Sequence, residues 1–135
     1  GLRVALVTDA GQLNDNGFNE LAYKGLQRAE KDLGITGRVV EAKTAADYVP
    51  NMSTLARQGY DLIIGVGFAY AESMKLVAKE FPNVKFGRVD SAVEGAANVT
   101  PLLFAEQEGS FLAGVIAAYQ SKKCHVGFVG GVEIP

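Results

Sequence analysis

Short apolar runs alternate with longer amphipathic stretches along this chain, and that alternation predicts strands and helices in turn. Residues 4–8 form a β-branched run suited to a strand buried on both faces. Over 15–33 the apolar positions Phe18, Leu21, Ala22, Leu26, Ala29 and Leu33 fall at helical spacings, and Gly34 supplies a stop. Residues 38–42 predict a second strand. A helix is expected to start at 48–50, with Pro50 in its first turn, and to run to Gln58 before Gly59 ends it. Residues 61–67, Asp-Leu-Ile-Ile-Gly-Val-Gly, carry the clearest strand pattern, and a helix over 71–81 follows, closed by Pro82-Asn83. Further strands are expected over 84–89 and, past a Gly/Ala/Ser/Glu linker, over 99–104. A helix over 107–120 places Phe111, Leu112, Val115 and Ile116 on one face, and a sixth strand is expected over 125–129 before Gly130-Gly131. Strands alternating with helices in this way imply right-handed βαβ units around a parallel sheet.

The ends of these strands hold the chemistry. The first runs into Thr8-Asp9 and a loop with Asn14, Asp15, Asn16 and Phe18, more polar groups than a plain connection needs. The third ends in Gly65-Val66-Gly67-Phe68 and the fourth in Asp90-Ser91. Parallel strands bring their carboxyl ends to one rim, where ligands bind in α/β sheets. Asp9, Phe68 and Asp90 are therefore expected to converge there, with Phe18 overhanging them. Each has a plainer reading: an Asp after a strand often caps a helix or makes a turn, and a Phe at a helix start more often packs in a core. Their joint appearance on one rim favours a site.

Composition narrows what that site can do. The 135 residues are one domain's worth of chain, 48% hydrophobic and 21% charged, and the net charge of −2 offers no field for nucleic acid or anionic lipid. Cys124 is the single cysteine, so no internal disulfide forms, and with His125 as the single histidine no structural zinc site is available. No apolar run reaches the roughly 20 residues a membrane helix needs. The chain starts almost directly on strand residues and stops at Ile134-Pro135, where a further loop and helix would be expected, so it has the look of a trimmed and truncated chain.

Carboxylates, amides and an aromatic ring suit a neutral, hydroxyl-rich ligand with a flat group, whereas carboxylates repel phosphate. The segment Gly65-Val-Gly-Phe-Ala-Tyr lacks the third glycine of a dinucleotide fingerprint, and no Gly-rich loop ends in Lys-Ser/Thr. Gly65 and Gly67 are better suited to close approach of backbone to ligand. A Gly-x-Ser-x-Gly elbow is absent, and Cys124 and His125, adjacent in a predicted strand, would face opposite ways. Asp9 and Asp15 as an acid/base pair or a Mg²⁺ site, in a flavodoxin- or receiver-like protein, is the enzymatic alternative.

Five blocks carry a resemblance along the whole chain: residues 6–19 (Leu-Val-Thr-Asp-Ala-Gly to Asp-Asn-Gly-Phe-Asn), 48–51 (Tyr-Val-Pro-Asn), 58–68, 108–114 (Glu-Gly-Ser-Phe-Leu-Ala-Gly) and 126–135. Together they resemble the basic-membrane-protein family of ABC-transporter substrate-binding lipoproteins. The resemblance implies a type I periplasmic-binding fold, in which two doubly wound lobes close on a ligand, and a purine-nucleoside receptor feeding an ABC importer. It implies that Phe18 stacks on the base while Asp9, Asp15, Asn19, Phe68 and Asp90 line the first lobe's half of the cleft. Three departures stand out: Arg88 occupies a strand that is usually apolar, and so would alter the rim or face solvent; Cys124-His125 replaces a small or basic turn; and a lipidated N-terminal cysteine is missing.

The expectation is an α/β, doubly wound parallel sheet of flavodoxin-like order 2-1-3-4-5. Residues 1–105 would form the ligand-binding lobe, and 106–135 the hinge with the first helix and strand of a truncated second lobe. The expected function is non-catalytic capture of a nucleoside, with a purine favoured, through Asp9, Asp15, Phe18, Asn19, Gly67, Phe68 and Asp90. No metal, cofactor or nucleic acid is expected. An ABC permease is the expected partner, the setting is extracytoplasmic with membrane association through a lipid anchor, and a swapped dimer of the truncated form is a further expectation. The alternative within the same fold is a sugar- or autoinducer-type sensor or regulatory domain.

Overall fold

The computed structural model describes residues 1–92 and 94–131. It divides into two compact units, Gly1–Leu103 and Phe104–Pro135. In the first, β1 (Arg3–Thr8), α1 (Phe18–Leu33), β2 (Thr36–Glu41), α2 (Tyr48–Arg57), β3 (Leu62–Val66), α3 (Ala71–Glu80), β4 (Lys85–Val89) and β5 (Val99–Leu102) follow in order. Single 3₁₀ turns, Ala45–Asp47 and Phe68–Tyr70, lead into α2 and α3. The strands form one parallel sheet in the order β2-β1-β3-β4-β5, the doubly wound order expected from the sequence. The sheet reverses its winding between β1 and β3, which pair Val4 with Leu62 and Val7 with Gly65.

Strand alternation decides which helix each side chain meets. Ala5, Val7, Ile63 and Phe86 pack with Tyr48, Met52, Leu55, Tyr70, Met74 and Val77 on the α2–α3 face. Val4, Leu6 and Val66 pack with Leu26 of α1 on the other. Gly65 lies on the α2–α3 face, where a Cβ would stand 2.6 Å from Met74 Cε and 3.4 Å from Tyr70 Cγ. Its smallness thus makes room for two buried side chains of the core, and the ligand-approach reading of Gly65 gives way to packing.

Several boundaries moved for identifiable reasons. Helix α1 starts at Phe18, three residues later than the periodicity suggested, because 15–17 form a polar turn folded around the Asp15 carboxylate. Strand β2 begins at Thr36, whose N–H bonds to Leu2 O at 3.0 Å. Strand β5 stops at Leu102. Asn98, just before β5, places its amide nitrogen 2.9 to 3.1 Å from the carbonyls of Ala78, Phe81 and Val84, taking up backbone acceptors at the end of α3. Asn98→Ala is expected to cost about 1–3 kcal/mol of unfolding free energy, read from denaturant midpoints, because those acceptors lose their donor.

The second unit, described by itself, holds α4 (Glu106–Gln120) and the stretch after it. Phe111, Leu112, Ile116 and Tyr119 of α4 are exposed. Residues 125–129 are not a strand, contrary to the sequence expectation. A strand forms where a neighbour takes its backbone N–H and C=O groups, and no described residue of this unit is in a strand. Instead the Ser121 hydroxyl accepts from His125 N at 3.0 Å and donates to His125 O at 2.8 Å, closing a turn. Ile134 and Pro135, where the chain seemed to break off, lie outside the described residues, as does Val93 in the linker. No described helix is long and apolar enough to cross a membrane.

Candidate functional site at the carboxyl rim

Asp9 follows the last residue of β1, so the sheet itself delivers its carboxylate to the rim. One oxygen is tied down: Oδ1 accepts from Gly11 N at 2.9 Å and from Asn19 Nδ2 at 3.0 Å. A carboxylate only accepts, so the Asn19 amide must turn its nitrogen to Asp9. That leaves the Asn19 oxygen buried and without a hydrogen-bond partner among the described residues, as is the neighbouring Thr8 hydroxyl. The other Asp9 oxygen, Oδ2, looks towards Gly67, where a Cβ would sit 3.4 Å from it.

Gly67 has a φ of 98°, a conformation that costs a residue with a Cβ. It links β3 to the turn that presents Phe68, and its N–H bonds to Val89 O at 3.3 Å, next to Asp90. Asp90 also has a positive φ, 68°, and donates its N–H to Leu102 O at 2.9 Å. It starts no helix, which removes the capping explanation for it. Left-handed backbone at a non-glycine residue stores strain, and such residues gather at ligand sites. Asp90→Gly is expected to be neutral or to stabilise the fold by up to about 1 kcal/mol, while ligand affinity falls about tenfold with the lost carboxylate.

Two aromatic rings stand half-exposed at this rim: Phe18 at 51% and Phe68 at 50% of full accessibility. Phe18 opens α1, one residue before the buried Asn19. The structure thus brings Asp9, Asn19 and Gly67 together by direct geometry, and joins Asp90 and Phe68 to them through Gly67.

Asp15 is engaged differently. Its Oδ1 accepts from Gly17 N at 2.8 Å and Glu20 N at 3.1 Å, and Oδ2 from Asn19 N at 3.2 Å. The Gly17 N–H above all, with those of Glu20 and Asn19, holds its carboxyl below the usual carboxylate range. A lowered pKa makes this contribution to stability present above the unfolded value and lost on acidification through the folded one. Asp15 therefore shapes the loop and starts α1, which also orients Asn19.

Sequence reasoning passed over Gly11 and Tyr70, named Thr8 only as the end of a strand, and placed Arg88 at the rim or in solvent. Gly11 is a notch: a Cβ there would meet Asp9 Oδ1 at 2.9 Å and Asn19 Nδ2 at 3.0 Å. Thr8 contributes its buried hydroxyl, and its carbonyl accepts from the Tyr70 hydroxyl at 2.6 Å. Arg88 faces neither solvent nor the α1 side but is buried at 1% exposure. The two loop residues were within reach of the sequence, since both flank Asp9. Tyr70 and Arg88 act across 62 and 20 positions, which no local pattern records.

The rim presents acceptors and rings, with Arg88 the only cation hydrogen-bonded to its loops among the described residues, and that one buried. Such a surface takes up hydroxyls and a flat group and disfavours anions. Elsewhere, an apolar groove of about 340 Å³ between α1 and the sheet is lined by Leu6, Leu26, Leu33, Ile35, Ile64 and Val89 among others. Its lining carries no group to bind hydroxyls, so the rim is the candidate site.

A family model described as "ABC transporter substrate-binding protein PnrA-like" matches residues 2–135. The ABC transporter nucleoside-binding protein BmpA of Lactococcus lactis subsp. cremoris is 38% identical over 98% of this chain, which spans 39% of that relative's length. Among solved structures, an ABC transporter solute-binding protein of Aeropyrum pernix superposes with a TM-score of 0.81 at 34% identity, over 87% of this chain and 32% of its own. A transcriptional activator of the comK gene from Bacillus halodurans gives 0.71 at 28% identity, over 90% of this chain and 41% of its own.

Proposed function

The chain belongs to the PnrA-like family of ABC transporter substrate-binding proteins, and from that membership we propose that its rim is one half of a cleft that captures a nucleoside, with a purine expected. The observation that carries this reading is the division of labour within Asp9. Oδ1 is fixed by Gly11 and Asn19, so Oδ2 is held still, ready to accept from a hydroxyl. Vicinal ribose hydroxyls suit Asp9 and Asp90, and a base suits the exposed ring of Phe18, with Phe68 beside it. Gly67 lets the ligand approach the backbone, and Asp15 and Asn19 hold the loop in shape.

In this reading the protein binds without transforming its ligand and hands it to an ABC permease, working outside the cytoplasm on a lipid anchor. Affinity grows when a second lobe closes over the ligand. The Lactococcus relative, a nucleoside-binding protein, supports this proposal.

The test is calorimetry with inosine, guanosine, adenosine, ribose and inosine monophosphate. Inosine or guanosine is expected to bind, and the monophosphate to bind at least about thirtyfold more weakly, since its phosphate brings negative charge to a rim that already carries the Asp9 and Asp90 carboxylates. Equal binding of nucleoside and nucleotide would contradict it. The similarity to a transcriptional activator favours a regulatory ligand-sensing role as the second reading. A heat-stability response to pentoses and none to nucleosides would point there.

A further inference from the structure

Arg88 is the odd residue of this sheet. It shares a face of β4 with Phe86, in the α2–α3 core, and is 1% exposed. Among the described residues it has no ion pair. Burial draws the guanidinium pKa down, with Glu72 opposing, and its Nε is buried without a partner. Carrying an unpaired charge inside is costly, and an apolar side chain of similar size would fill the space more cheaply.

The guanidinium has two partners, both backbone. Nη2 donates to Phe68 O at 2.8 Å and Nη1 to Ala92 O at 2.9 Å. These carbonyls belong to the loops after β3 and after β4, which carry Gly67–Phe68 and Asp90. The ladder between the two strands ends at Val66 and Val89. Beyond it, among the described residues, the Gly67 N–H to Val89 O bond of 3.3 Å and the Arg88 fork tie the two segments together.

We propose that Arg88 is a positioning residue for ligand binding: its planar fork ties the Phe68 loop to the Asp90–Ala92 loop and so fixes the distance between the Phe68 ring and the Asp90 carboxylate. The fork is the reason for an arginine. Its two terminal nitrogens reach two carbonyls in a fixed relation, whereas a lysine ammonium is a point donor on a flexible stem. The consequence for affinity rests on the rim being the ligand site; the tie between the loops does not.

Arg88→Met and Arg88→Lys test it by two readouts. In native-state hydrogen exchange, both variants are expected to lose protection about tenfold at Tyr70 and Asp90, whose N–H groups bond to Gly67 O and Leu102 O, while the amides of β1 and β3 keep theirs. Should Arg88→Met fail to fold, Arg88→Lys, which keeps charge and stem, carries the same expectation. Equal loss of protection across β1 and β3, or none at the two loops, would overturn the tie. In inosine titrations Arg88→Lys is expected to weaken binding about tenfold in the wild-type and Phe18→Ala backgrounds, and less than about twofold in the Phe68→Ala background, where the ring it positions is gone. The same loss in all three backgrounds would overturn the positioning role. Wild-type protein that binds neither inosine nor guanosine would overturn the nucleoside reading and the affinity half of this proposal, while the exchange measurement still decides the tie.

Discussion

Asp9→Ala is expected to weaken inosine binding by about a hundredfold or more. A charge-assisted hydrogen bond contributes roughly 1.5–3 kcal/mol. Asp9 Oδ2 makes one to a ribose hydroxyl, and removing the carboxylate also takes the acceptor from Gly11 N–H and Asn19 Nδ2, which loosens the loop around the site. Asp9→Asn separates charge from geometry. Gly11 N–H and Asn19 Nδ2 both point at one side of the group, so the new amide must put its oxygen there and its nitrogen towards the ligand. An acceptor becomes a donor, and a loss of about tenfold is expected. Titration calorimetry on the two variants reads both effects, and equal affinity of Asp9→Ala and wild type would remove Asp9 from the site.

Tyr70→Ala is the largest expected effect on stability, about 4 kcal/mol, seen as a fall in the denaturant midpoint with unchanged slope. The ring is fully buried and stacks on Tyr48 at 4.3 Å between centroids. Its hydroxyl donates to Thr8 O at 2.6 Å, and burial raises its pKa, so it stays a donor at any working pH. Tyr70→Phe keeps the packing and loses the donor, and about 1–1.5 kcal/mol is expected, since Thr8 O retains the N–H of Ala42 at 3.3 Å. The pair of variants also reads function. Tyr70 braces the end of β1 one residue before Asp9, so Tyr70→Phe should lower ligand affinity a few-fold where a remote core change of equal cost would not.

The fold was legible because its signals are local and repeated. Apolar runs separated by amphipathic helices announce a parallel sheet, and Gly34 ends α1 in a left-handed conformation as the sequence suggested. The strand at 125–129 was misread because apolar content shows that a segment can enter a sheet and says nothing about whether an edge is there to receive it. The rim divides the same way. Asp9, Gly67 and Asp90 stand where strands end, and strand ends can be read. That Asp15 would spend both oxygens on backbone N–H groups depended on where α1 begins, and two or three residues at a helix start are beyond periodicity. Arg88 looked like a rim or solvent residue because an arginine in an apolar strand has no local precedent. Its partners come from the turn after β3 and the loop after β4, and only the assembled sheet puts both within reach of one guanidinium.

The measurement that bears most directly on the central claim is amide NMR of the labelled protein titrated with inosine to millimolar concentration, which detects even weak binding. The account predicts shifts confined to Asp9–Gly11, Phe18–Asn19, Gly67–Phe68 and Asp90–Ser91, saturating together and absent in Asp9→Ala. Shifts centred instead on the α1-side groove at Leu26, Ile35 and Ile64, or no saturable shift at the rim with any nucleoside, would contradict it.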